Sequence, residues 1–239
     1  MVVAERTDDS TTYARPDGMF RMRKHSDTIP AKVDGAWKPI DTTLRRVEGG
    51  YAPKAVNDPL LFSAGSAGSE RASRDLTRSR LGAAPLSASE DGWSDLVRLA
   101  TGGHEIVVRW PGALPAPVVS GSRALYEGVR PGIDLLLTAR YGGYSHVLIV
   151  HNREAANDPL LGALNYRLSS PDLVFHLDKT STAVSAVDAN GKEVTFAPTP
   201  YLWDSAGEPS VGRGRSDAFF LSWKCPRPTG TGRSTARQS

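Results

Sequence analysis

The chain has 239 residues, is 39% hydrophobic and carries a formal charge of +3, with 23 glycines, 17 prolines and one cysteine. That length allows one large β domain or two small ones. The lone Cys225 excludes both an intrachain disulfide and a cysteine-built zinc site. The charge is unevenly placed: residues 211–239 hold six Lys or Arg against Asp217, so removing that +5 leaves the first 210 residues at −2. A mildly acidic body argues against nucleic acid binding through the folded part.

Taken in order, residues 1–12 are polar and expected to be disordered. Residues 13–62 carry the first strands of a β module. Met19–His25 alternates Phe20 and Met22 with Arg21 and Arg23, and Asp34-Gly35 predicts a hairpin that sets Lys32 opposite Trp37. Residues 63–92, rich in Ser, Ala, Gly and Arg without apolar periodicity, read as a disordered insertion or long loop. The main β-sandwich is expected over 93–207. His104–Trp110 alternates cleanly, and Pro111–Pro117 is an extended connection. Glu154–Ala163 predicts one helical turn around Pro159. Strands follow at Leu164–Leu168 and Leu173–Leu177, then a hairpin joins Val184–Asp188 to Lys192–Phe196. Pro198–Asp204 is extended, and 208–239 reads as a disordered basic tail.

The strongest local signal is the hairpin Ile133–His151, with Gly142-Gly143 as its expected tight turn through positive φ angles. That register faces Tyr141 with Tyr144, Leu137 with Leu148, Leu135 with Val150 and Asp134 with His151. Ile133, Leu135, Leu137, Ala139, Leu148 and Val150 then share one apolar face. Such a hairpin belongs in the core of an antiparallel β-sandwich, the all-β class predicted for this chain.

Catalytic signals are sparse. No two of the five histidines have metal-ligand spacing on a helix, and His146 is expected at the surface near the hairpin turn. Asp134 opposite His151 could orient a general base, yet no nucleophile-elbow serine accompanies it, so a cross-strand pair is the reading. Asp172, Asp178, Asp188 and Glu193 read as solvated turn acids rather than a calcium site. No catalytic residue, cofactor or metal is expected. Trp37, Trp110, Tyr201 and Trp203 are the aromatics that could face a ligand, as a sugar-stacking platform would.

Five motifs occur in order: Thr11-Thr-Tyr-Ala-Arg-Pro-Asp-Gly18, Gly35-Ala-Trp-Lys-Pro-Ile-Asp-Thr-Thr-Leu44, Arg109-Trp-Pro-Gly112, Gly128-Val-Arg-Pro-Gly-Ile-Asp-Leu135 and Ala197-Pro-Thr-Pro-Tyr-Leu-Trp-Asp204. Together they resemble the N-terminal β-rich region of large secreted actinobacterial surface proteins with DNRLRE, LamG-like or RHS/YD-repeat regions further along. The resemblance covers most of residues 5–215 apart from 63–92. It implies a non-enzymatic structural or interaction module at the cell wall or outside the cell, with cell-wall polysaccharide or other surface-protein modules as partners. A carbohydrate-binding module is the alternative. The N-terminus carries no hydrophobic signal region, and after Ser216 the pattern departs from that family. A truncated fragment is therefore the expectation.

Overall fold

The structure, a computed structural model, describes residues 10–24, 30–33, 35–65, 92–162, 164–203, 209–210 and 218–224; the side chains of Thr11, Lys24 and residues 201–224 are not among the described parts. The expected insertion at 63–92 therefore lies outside the described residues except at its two ends.

The described residues are mostly antiparallel sheet, with almost no helix. Two small hairpins come first: β1 (Ser10–Ala14) with β2 (Phe20–Lys24), and β3 (Pro30–Val33) with β4 (Ala36–Pro39). Gly35, at φ 77°, turns the second hairpin and sets Lys32 opposite Trp37 as the sequence predicted. β5 (Asp41–Val47), β6 (Gly50–Ala55), β7 (Leu60–Ser63), β8 (Trp93–Thr101) and β9 (His104–Pro111) then run as a meander. With β14 (Arg167–Ser169) they form a six-stranded sheet in the order β14-β9-β8-β7-β6-β5. Segments 13–62 and 93–207 thus share one sheet, because β7 pairs with β8.

The larger sheet begins with β10 (Val118–Ser120), β11 (Arg123–Arg130), β12 (Ile133–Arg140) and β13 (Gly143–Val150). After a 3-10 turn at Ala155–Asn157 and the helical turn α1 (Pro159–Gly162), its far end holds β15 (Val174–Leu177), β16 (Val184–Val187) and β17 (Glu193–Ala197). Three late strands complete it: β18 (Tyr201–Trp203), β19 (Pro209–Ser210) and β20 (Ala218–Lys224). The order is β10-β11-β12-β13-β20-β17-β16-β15, with β18 and β19 branching from β20.

The two sheets share a single core, and alternation explains who enters it. Ile106, Val108 and Trp110 of β9 are buried, as are Ile133, Leu135, Leu137 and Ala139 of β12. Phe62 meets Tyr144 across the gap edge to face, with ring centroids 6.0 Å apart. The buried Tyr126 hydroxyl donates to the Ser63 carbonyl at 2.7 Å, a bond that joins β11 to β7. At one side the Leu44 N–H donates to the Gly121 carbonyl at 2.8 Å, which brings β5 to the β10–β11 turn.

Four expectations change. β1 starts at Ser10, inside the segment read as a disordered N-terminus, and both Ser10 and Thr12 are buried. The β12–β13 pairing is Ile133↔Val150, Leu135↔Leu148 and Ala139↔Tyr144, one residue per strand away from the predicted register. The loop is therefore Tyr141-Gly142, and of residues 141–143 only Gly143 has a positive φ, at 135°. A shift of this parity keeps every side chain on its predicted face. Trp93–Thr101 is a central strand that the sequence reading passed over. Last, Ala218–Lys224 lies within the segment read as a disordered tail, yet it pairs with seven successive residues of β13.

Candidate functional site

The strands place four polar groupings that could carry chemistry. The first is the Asp134–His151 pair. Gly128 (φ 64°) and Gly132 (φ 69°) bend the β11–β12 connection through a bulge, so that Asp134 Oδ1 accepts the Gly128 N–H at 2.7 Å. Asp134 Oδ2 lies 2.7 Å from His151 Nε2, although its direct cross-strand neighbour is Ile149. His151 N–H donates to the Gly132 carbonyl at 3.0 Å, and a Cβ on Gly132 would stand 2.9 Å from that of Ala155. Next to it, Arg130 holds Asp158 through two bonds of 3.0 and 3.2 Å. The Leu160 N–H first, and Arg130 with it, keep the Asp158 carboxyl below its usual range. The His151–Asp134, Arg130–Asp158 and His151–Gly132 bonds join the 126–134 turn to the 151–160 loop.

Asp134→Ala is expected to cost about 1–3 kcal/mol, because it strips the acceptor from a backbone N–H and from His151. His151→Ala, on a side chain half exposed, should cost less than about 1 kcal/mol. Urea unfolding of both variants checks the order; a larger loss for His151 would contradict a carboxylate-centred lock.

A second imidazole–carboxylate pair closes the end of the six-stranded sheet. His104 Nδ1 lies 2.6 Å from Asp172 Oδ2, and Ser170 Oγ donates to Asp172 Oδ1 at 3.1 Å. The serine is bonded to the carboxylate rather than to the imidazole, so it is not aligned as a nucleophile. Asp178 and Asp188 cap their own turns. Asp178 accepts the Thr180 N–H at 2.8 Å, and Asp188 accepts those of Asn190 and Lys192 at 2.8 and 2.9 Å. Among the described residues no group of three or more His, Cys, Asp or Glu could hold a metal ion.

The third grouping is internal. His146, predicted at the surface, is 2% exposed, because strand parity sends it inward between Tyr144 and Leu148. Its Nε2 meets the Tyr166 hydroxyl at 3.0 Å, and its ring stacks on Tyr144 at 6.2 Å. Burial pushes its pKa down to about 3. His146 Nδ1, the Tyr144 hydroxyl and Trp110 Nε1 are buried without a hydrogen-bond partner.

Of the aromatics expected to face a ligand, Trp110 is fully buried and packs at 5.9 Å from Tyr166, so it serves the core instead. Trp37 is half-buried with the Lys32 ammonium 5.8 Å from its ring. Tyr201 and Trp203 lie in β18, with side chains outside the described parts.

The fourth grouping was not singled out from sequence. On the outer side of β15–β17, His176, Ser185 and Phe196 line a surface concavity of about 420 Å³ together with Asp178 and Glu193. The alternation of β16 and β17 was legible, but its lack of internal partners was not. Comparison with protein-family models, with curated proteins and with solved structures finds no match. Among the described residues no helix is long and apolar enough to cross a membrane.

Proposed function

We propose that this chain is a non-enzymatic structural and interaction module of a secreted or cell-wall-associated bacterial surface protein. The observation that carries the reading is the β1–β2 hairpin. Its register puts Phe20 and Met22 on one side and Arg21 beside Tyr13 on the other. Met19, Phe20 and Met22 are 58%, 66% and 64% exposed. Arg15 pairs with Asp17 at 3.5 Å, while Arg21 and Arg23 hold no ion pair among the described residues. A two-stranded hairpin is marginal in water, and large apolar side chains grouped on a surface favour a contact with another body. The five ordered motifs supply the cellular setting.

Surface location is tested with an epitope-tagged chain in the cell that makes it. Protease added to intact cells should remove the tag; protection until lysis would overturn the reading. A second reading, a carbohydrate-binding module, is favoured by the open concavity on β15–β17.

A further inference from the structure

The far end of the larger sheet has an unspent polar row. Registers Phe175↔Ala186 and Ala186↔Thr195 send those three residues toward the core, where Ala186 and Thr195 are buried. The next register, His176↔Ser185 and Ser185↔Phe196, therefore sets three side chains side by side on the outer face. This row is part of the lining of the concavity, which Leu177, Val184 and Glu193 also share. Its volume of about 420 Å³ falls within the ordinary range of small-molecule sites.

What separates this row from the other groupings is the absence of internal partners. His104, His146 and His151 each hold a side-chain hydrogen bond or ion pair within the fold. Among the described residues His176, Ser185 and Glu193 hold none. The neighbouring Asp178 differs, since its carboxylate is committed to Thr180 and Ser181. In the turn between β15 and β16, Thr182 has φ 57°, the one positive φ of a non-glycine residue among those described. A β-branched side chain is strained there, and such strain persists where the surroundings hold a loop in place.

We infer that this concavity binds a neutral pyranose unit of a polysaccharide. The Phe196 ring offers the apolar face on which sugar C–H groups stack, and His176, Ser185 and Glu193 offer hydrogen-bonding groups for hydroxyls. The carboxylates of Asp178 and Glu193 repel uronate and phosphate, so charged polymers are selected against. The inference rests on the carbohydrate-binding reading and assigns it a site.

The test is calorimetric titration of the full chain with cellotetraose, chitotetraose and mannotetraose, with polygalacturonate as the charged control. At least one neutral oligosaccharide should bind saturably, and polygalacturonate should not. Phe196→Ala should weaken binding about tenfold or more, and His176→Ala and Glu193→Gln several-fold, with circular dichroism unchanged. The two polar variants lie at the surface and keep the test valid if Phe196→Ala misfolds. Wild-type binding that all three substitutions leave intact overturns this site while the carbohydrate-binding reading stands. Preference for polygalacturonate also overturns it. No binding to any of the three neutral oligosaccharides overturns site and reading together.

Discussion

Acidification from pH 6.5 to pH 4 is expected to remove about 3 kcal/mol of folding stability through His146 alone. In the unfolded chain this imidazole titrates near 6.5, whereas burial in the folded protein depresses its pKa to about 3. Between those values the unfolded state binds a proton that the folded state refuses, so stability is complete above pH 6.5 and falls as the pH drops. The slope is about 1.4 kcal/mol per pH unit. No hydrogen-bond partner receives a proton at Nδ1, and the neighbouring Tyr144 and Tyr166 rings offer no counter-charge. The carboxylates with lowered pKa values, Asp41, Asp158, Asp178 and Asp188, contribute stability that begins to be lost only as the pH falls below about 5, where the unfolded chain starts to take up their protons. The window from 6.5 to 5 therefore isolates the histidine. Urea unfolding at pH 7, 6, 5 and 4 measures the slope for wild type and for His146→Phe. The variant starts about 1–3 kcal/mol lower, because the Tyr166 hydroxyl loses its partner. Its slope across the window should nevertheless be nearly flat. Equal slopes in the two proteins would assign the acid sensitivity to another group.

The same histidine shows where the sequence stops informing. Alternation in Ile133–Val150 gave both strands and both faces, because each inward position from Ile133 to Ala139 is apolar. The register needed more than that. Gly142-Gly143 offers a tight turn, but Tyr144 takes its place opposite Ala139 and against Phe62 of the other sheet, a contact 82 positions away in the chain. His146 inside the core follows from parity, yet a histidine on that face reads as an interruption until Tyr166 supplies its partner.

β8 was hidden for the opposite reason. Ser94–Leu99 is buried on both faces, so it does not alternate, and it contains Asp95 and Arg98. Their charges are met by neighbours on β9, Arg109 at 2.6 Å and Glu105 at 3.7 Å. A strand whose polar residues are satisfied across the sheet resembles a loop in its sequence alone. The Asp34-Gly35 hairpin was legible because its turn chemistry is local. The His176–Ser185–Phe196 row was legible as strand and turn, whereas its freedom from internal bonds belongs to the tertiary structure.

A chain ended after Gly207 is expected to lose the cooperative fold that a chain ended after Lys224 keeps. The segment 218–224 carries the signal of a short buried strand, Ala218-Phe-Phe-Leu-Ser-Trp-Lys224, within a stretch whose composition otherwise reads as a tail. In the fold β20 separates β13 from β17. It pairs with β13 from Gly143↔Lys224 to Ile149↔Ala218, and it meets β17 at Phe196↔Lys224. Gly143, Tyr144, Ser145 and His146 of β13 are all buried, so removal of β20 leaves their free edge beside apolar surface. Each lost ladder bond costs about 0.5–1.5 kcal/mol. A handful of them approaches the roughly 5–15 kcal/mol that holds a domain folded. The bared edge also becomes a template for aggregation. β15–β17 would lose their link to the rest of the sheet, and the row at His176 would lose its frame. Soluble yield, thermal melting by circular dichroism and hydrogen exchange at β13 report the difference between the two chains. Identical melting and equal protection of β13 amides would show that the sheet does not depend on β20.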